Sequence, residues 1–401
     1  MLPVAANYGI TKKNLWHPSR IRIRMMMNLP PYCMCSAEEC EERLRCKEVS
    51  QFEKTNGTMD PTKMVTKYRR SAAGSKHRSP RNEDQLSKTI SYLILLLIDS
   101  SKEEGLCLVD LVHFLEDRLR AVQVDYTILS VQSSISQHQI AKTHLILLYL
   151  LSDQSKQKGK LLYERRFGVT ALQTALSCYW LEEEGTREDH SLRDTEILCF
   201  SILTQLNEFF IERKDEICGG RGNAPPLGSV WFQTVMLVRK HVASNEWDNA
   251  DSLRWAMGLV AHISNGQWYC ALAWLQKLDP GPFATLARCC VGSLVPILRW
   301  LVLLRLNRTL SKNQLIPMQD ISRLLFFSDR TQCAAFVDDC GLPYRDDSVE
   351  FKVVEMQLPR RSFSRRSDAF VFGGKCSNPT ITKDGITIPR PEVLRELLVS
   401  D

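Results

Sequence analysis

The chain has 401 residues, a length that favours roughly two to three domains. With 44% hydrophobic and 24% charged residues and a formal charge of +6, it has an ordinary globular balance, which excludes a disordered or supercharged polymer. The charge is uneven: up to Lys88 there are 17 basic against 9 acidic residues, a net of +8, so the remainder carries −2. This excludes a uniformly basic nucleic-acid coat and leaves a basic front on a near-neutral body.

The first 37 residues hold Lys12, Lys13, Arg20, Arg22 and Arg24 and no acid. No apolar stretch of signal-peptide type follows them, so residues 1–33 read as a loose basic leader, in preference to a transit peptide. Of the 14 cysteines, Cys178, Cys199, Cys270, Cys289 and Cys290 sit inside apolar helical runs, where a free thiol acts as a small hydrophobe. The expected compartment is reducing, nucleus or cytoplasm, and the sequons at Asn56 and Asn307 are then chance matches. The apolar runs Tyr92–Ile98 and Leu145–Leu151 fall short of the ~20 residues a bilayer requires. Pro296, Arg299 and Arg305 break the longest one, Leu294–Leu306.

Taken in chain order, the pattern is helical. A helix is expected over Ala37–Glu53, and a short one after Asp60-Pro61 carries Lys67, Tyr68, Arg69 and Arg70. Residues 72–85 form a polar linker. Ile90, Leu93, Ile94 and Leu97 then share one helix face, and Leu108 through Val122 repeat the pattern over four turns. Further helices run through His138–Leu151, Phe167–Leu181, Thr195–Ile211 and Ser229–Ser244, with a Gly- and Pro-rich linker at 219–228. Residues 250–278 read as a helical hairpin turning at Asn265-Gly266, and 297–306 as a helix buried on every side. Short helices follow at Pro317–Phe327 and Thr331–Cys340, with Ser328-Asp329 as a cap and Gly341 as a stop. Strands are expected at Val349–Met356 and Ala369–Phe372. The tail from Gly373 reads as loosely ordered apart from a last helix at Pro391–Val399. The fold class is all-α: a stack of helix pairs followed by a winged helix. The expected divisions are leader 1–33, motif segment and linker 34–85, helical repeats 86–310, winged helix 311–372 and tail 373–401.

No catalytic set emerges. Cys33, Cys35, Cys40 and Cys46 are spaced poorly for zinc, which prefers paired cysteines two to four residues apart, and read as free thiols. Gly374-Lys375 lacks the glycine and hydroxyl of a P-loop, because Ala369 and Cys376 stand there. No enzyme activity, cofactor or metal is expected. The charged groups carry the remaining signal. Arg360, Arg361, Arg365 and Arg366 cluster around Phe363 on the expected wing, where guanidinium groups can track phosphates. Arg118 and Arg120 flank a buried helix face and are expected to pair with acids of adjacent helices.

Residues 34–74 also carry a more specific pattern. Met34-Cys35, Glu39, Arg43 and Phe52-Glu53 are followed by Val65, Lys67-Tyr68 and Arg70-Ser71-Ala72-Ala73-Gly74. This resembles the signature of the suppressor-of-actin/GANP family, M-C-P, E-R, R and F-E followed by V-K-x-Y-x-R-S-A-A-G. Ser36 and Cys40 depart from it, as does Tyr32-Cys33 before the Met-Cys pair. Phe114, Asp117-Arg118-Leu119-Arg120-Ala121-Val122 and Asp125 resemble the family's F-x-x-D-R-x-R-x-V-x-x-D helix. Lys142-Thr143-His144-Leu145 stands in place of R-F-H-I, and Leu324–Phe327 and Cys340-Gly341-Leu342-Pro343 match its winged helix.

The resemblance implies a non-enzymatic PCI-type scaffold of transcription-coupled mRNA processing and export in the nucleus. It would pair with a second PCI-domain protein and a small acidic subunit, and bind RNA without sequence specificity. Lacking Phe-Gly repeats and a centrin-carrying helix, the chain resembles the short members, so pore and centrin-type partners are not expected. Short members are also linked to the centrosome and spindle, which makes a protein-only adaptor the alternative. In the family the motif residues serve packing or partner docking.

Overall fold

The structure, a computed structural model, describes residues 34–69, 80–100, 108–131, 133–151, 160–181, 191–213, 228–241, 251–278, 281–311, 314–351, 356–357, 380–383, 386–399. Among these are fourteen α-helices and seven short strands. The chain separates into two compact units, one up to Thr89 and one from Ile90.

The first unit opens with α1 (Ala37–Arg45), whose N-cap Ser36 accepts a bond from the Glu39 N–H. The helix expected to continue to Glu53 stops instead. Lys47 adopts a left-handed φ of 59°, and the Glu48 and Lys47 N–H groups turn back to the Arg43 and Leu44 carbonyls, closing the helix as a Schellman motif. A 3-10 turn (Gln51–Glu53) and a two-strand hairpin, β1 (Lys54–Thr55) and β2 (Thr58–Met59), follow. Asn56 and Gly57 both lie at positive φ, the geometry a two-residue type I′ turn needs. Lys67, Tyr68 and Arg69 are not helical as expected. After the 3-10 turn Pro61–Lys63 the chain is irregular, because the backbone of residues 65–67 bonds to Arg43, Glu53, Met34 and Glu39 rather than to a helix ladder. The linker expected over 72–85 already ends inside a helix. Asn82 and Gln85 exchange side-chain-to-backbone bonds of 2.8 and 3.1 Å, a reciprocal cap that starts α2 (Glu83–Ser100).

The second unit is a helical stack: α3 (Leu108–Leu129), α4 (Ser134–Leu151), α5 (Lys160–Cys178), α6 (Ser191–Glu212), α7 (Gly228–His241), α8 (Asp251–Ser264), α9 (Trp268–Gln276), α10 (Pro282–Val291) and α11 (Val295–Thr309). Sequential helices pack together from α3 to α9, and α9 then packs on α11; α10 returns to lie on α4 and α6, and α8 on α6. These returns bury α4 on nearly every side, and its Leu145, Ile146, Leu147, Tyr149 and Leu150 are all buried. The expected hairpin is α8–α9, turning at Gly266 with φ 65°. Its helices are locked by reciprocal bonds, Trp255 Nε1 to the Trp274 carbonyl at 3.1 Å and Trp274 Nε1 to the Trp255 carbonyl at 2.9 Å. Among the described residues no single helix is long and apolar enough to cross a membrane.

After α11 come β3 (Leu315–Pro317), α12 (Met318–Leu324), α13 (Arg330–Asp339), β4 (Tyr344–Arg345) and β5 (Ser348–Glu350), the strands forming an antiparallel sheet in the order β3-β5-β4. Asp329 caps α13 through the Thr331 N–H at 2.9 Å, and Gly341, at φ 73°, closes it. β3 and β4 were not foreseen. The expected strand at Ala369–Phe372 lies outside the described residues. In the tail β6 (Thr380–Lys383) and β7 (Ile386–Pro389) form a hairpin, and α14 (Pro391–Val399) matches the expected last helix.

Candidate functional site

The signature residues of the first unit converge on one buried ion pair. Arg43 and Glu53 are in direct contact with both side chains fully buried. Arg43 also donates to the Val65 carbonyl at 2.9 Å and the Glu48 carbonyl at 3.3 Å. Glu53 accepts the Ser50 N–H at 3.0 Å and the Val65 N–H at 3.2 Å. Burial works against the Arg43 charge, but the Glu53 hydrogen bond and charge outweigh it and raise the guanidinium pKa above its ordinary value. Around the pair, Glu39 accepts the Lys67 N–H at 2.8 Å. The Met34 carbonyl takes the Thr66 N–H and hydroxyl at 3.0 and 3.1 Å and the Arg81 guanidinium at 3.4 Å. Cys35 and Cys40 bury their thiols against Met64, and Phe52 is buried beside Glu53.

Met34, Cys35, Glu39, Arg43, Phe52, Glu53 and Lys67, spread over 34 residues of sequence, thus form one clamp that ties α1 to the irregular segment 64–67. A buried charge pair persists when its remaining polar atoms are bonded; backbone groups meet both Glu53 oxygens and both terminal Arg43 nitrogens, and the Arg43 Nε alone of the pair has no partner among the described residues. Thr66 and Arg81 belong to the same clamp and were missed; spacing gives no sign of them, because their partner is a main-chain carbonyl. Lys67 and Arg69 reach the surface, where they pair with Glu48 at 3.2 Å and Glu42 at 2.9 Å; the Arg69 hydrogen bond and charge hold the Glu42 carboxyl below its usual value. Tyr68 is half-buried. Arg70 and Ser71 lie outside the described residues.

On α3, Asp117 contacts its neighbour Arg118, whose guanidinium lies 4.5 Å from the Phe114 ring centre. Arg120 lies over the Phe167 ring of α5 at 5.0 Å, and Gln123 donates to the Ala171 carbonyl at 3.1 Å. This motif therefore holds α3 against α5 through an aromatic face and a backbone bond, while the Asp117–Arg118 pair lies within α3 itself. The neighbouring His144 is fully buried on α4. Desolvation, and then the charge of Arg120, push its pKa down to about 4, so it is neutral at physiological pH.

A second junction joins the stack to the sheet-bearing module. Arg299 of α11 is buried and donates to the Leu325 and Phe326 carbonyls, both at 2.9 Å, with Phe327 under its guanidinium at 3.7 Å. These bonds hold the end of α12, where Phe326 adopts a left-handed φ of 55° and stacks on Tyr269 of α9. Burial lowers the Arg299 pKa to about 10, leaving it charged at neutral pH. Trp300 adds a bond to the Gln357 carbonyl at 2.8 Å. In the sequence Arg299 only interrupts an apolar run, and nothing in its spacing announces a helix-end ligand on the next module.

Of the four cysteines weighed for zinc, Cys35 and Cys40 are buried, Cys46 is exposed and Cys33 lies outside the described residues. Among the described residues no three His, Cys, Asp or Glu side chains are grouped as metal ligands. Arg360, Arg361, Arg365 and Arg366 lie outside the described residues.

A comparison with curated proteins gives no match. The model of the SAC3/GANP family matches residues 34–346, a span that starts at the clamp's first residue and runs through the stack into the hairpin joining β4 and β5. The match covers well over half of the chain and includes both the ion-pair clamp and the α3 motif; the chain belongs to the SAC3/GANP family.

Proposed function

We propose that the protein is a non-enzymatic scaffold of nuclear mRNA processing and export, which binds a second PCI-domain protein, a small acidic subunit and RNA. The observation that carries this reading is the family match over residues 34–346; membership supports, at the level of the family, a scaffold role in mRNA export. The use of the motif residues agrees with it. The most distinctive charged side chains of the first unit, Arg43 and Glu53, are consumed in holding the chain together rather than aimed at a substrate. The helix pair and three-stranded sheet after α11 support reading that module as the winged helix of a PCI domain.

In this reading RNA is held by phosphate contacts from Arg360, Arg361, Arg365 and Arg366, and affinity rises when the partner adds its own basic surface. Four such contacts give a salt dependence of log K with a slope of roughly −3 on single strands. The test is reversal of all four to Glu in the full chain, with binding to a mixed-sequence single-stranded RNA measured across salt. The expected result is weaker binding to every sequence and a flatter salt slope. Unchanged affinity at low salt refutes the wing assignment.

A further inference from the structure

The last helix, α14, packs against α10 and α4, and β7, which leads into it, also packs against α4. Its docked face is three leucines at i, i+3 and i+4: Leu394, Leu397 and Leu398, each 1–2% exposed. Glu392, Arg395 and Glu396 face away and are exposed. We propose that α4 and α10 form a docking groove for an amphipathic helix with leucines at i, i+3 and i+4, filled by the chain's own α14 as an exchangeable intramolecular ligand.

Three observations carry this. First, the C-terminal half of α4 is an apolar run, Leu145–Leu151, in which Leu145, Ile146, Leu147, Tyr149 and Leu150 are buried. A helix end apolar on every side must be covered on every side, and α14 packs on α4 together with α3, α5 and α10. Second, α14 is only nine residues long, below the length at which a helix is stable alone in water, so it folds as it docks. Its start is prepared for this: Pro391 occupies the first turn, Glu392 complements the helix dipole, and the Leu394 N–H bonds the Arg390 carbonyl at 2.9 Å. Third, α14 is held by one leucine stripe, whereas α4 and α10 are buried nearly all round. Segments with few buried contacts open at lower free energy than the core around them. The pattern matches helix-in-groove recognition, in which the anchors lie on one face and the charged residues stay in water.

The test uses the full chain and its Leu397→Asp/Leu398→Asp variant, titrated with a fluorescent peptide of residues 390–401. In the wild-type chain α14 occupies the groove, so the peptide sees only the undocked fraction and its apparent affinity falls in proportion. The peptide is expected to bind the variant at least about tenfold more tightly than the wild type, and a peptide with both Asp substitutions is expected not to bind. Equal binding to both chains, or binding to neither, overturns the proposal. Should the variant lose its helical circular dichroism, amide exchange on the wild type decides. Exchange in Leu394–Val399 at least about tenfold faster than in the centre of α4 supports an exchangeable ligand; exchange at the α4 rate makes α14 a fixed part of the core and refutes it. Sedimentation showing a wild-type dimer that the variant lacks places α14 in a second copy and overturns the intramolecular assignment.

Discussion

Replacing Arg43 by Met removes the cation from the buried pair while keeping most of the side-chain volume. Glu53 would be left fully buried without its cation, its charge facing the Ser50 and Val65 N–H groups at 3.0 and 3.2 Å. The Val65 and Glu48 carbonyls would lose their donor. Breaking a buried pair by removing one partner costs about 3–5 kcal/mol, a large share of a domain's ordinary stability of about 5–15 kcal/mol. The first unit supplies its own reporters, since Cys35 is 1% and Cys40 0% exposed while Cys46 is exposed. Pulse alkylation read by mass spectrometry should show Cys35 and Cys40 modified faster by about two to four orders of magnitude, at 1.36 kcal/mol per decade, with Cys46 unchanged. Arg43→Met combined with Glu53→Met should recover part of the loss, because no unpaired buried charge remains. A rise of less than about threefold for Arg43→Met would refute the argument that this pair holds the unit closed.

Three further outcomes follow from packing and charge in the second unit. His144 has its pKa lowered from 6.5 to about 4, so the unfolded chain takes the proton first; its contribution is fully present above pH 6.5 and is lost as pH falls toward 4. Between pH 7 and 5 this amounts to about 2 kcal/mol; urea midpoints should fall less steeply for His144→Phe, and an equal fall contradicts the assignment. A Cβ at position 258 would lie 2.7 Å from the Trp274 ring, so Gly258→Ala should cost about 1–3 kcal/mol despite its helix propensity, with a changed tryptophan near-ultraviolet signal; a raised melting temperature would contradict this. Arg299→Met removes two bonds from a charged donor, about 1.5–3 kcal/mol each, and should speed amide exchange in 318–327 while leaving α3–α5 unchanged; uniform acceleration would show that Arg299 is not a local clasp.

What could be read from the chain alone was periodicity and punctuation. The stripes through Ile90–Leu97 and Leu108–Val122, the turn at Asn265-Gly266, the Asp329 cap and the Gly341 stop are local signals, and each sits where it was expected. The errors share one cause. Ala37–Glu53 looked like one helix because nothing local forbids it; it ends at Arg45 because the Arg43 side chain and backbone both need the 48–65 region. A short helix was expected to carry Lys67–Arg70, yet the Lys67 N–H goes to the Glu39 carboxylate of α1. The Asn56-Gly57 hairpin, by contrast, was legible, as that pair between strands favours a type I′ turn; it was passed over as a sequon. Arg299 and Arg81 act on main-chain carbonyls far along the sequence, and such partners leave no residue-type pattern to read. The clamp as a set was legible only through the family pattern.

The scaffold reading is tested most directly by purifying the tagged full chain from nuclear extract after ultraviolet crosslinking, with copurified proteins and crosslinked RNA identified together. The account predicts a stoichiometric PCI-domain partner with a small acidic subunit, and polyadenylated RNA crosslinked to the complex. Recovery of tubulin-associated proteins with no crosslinked RNA and no PCI-domain partner would contradict it.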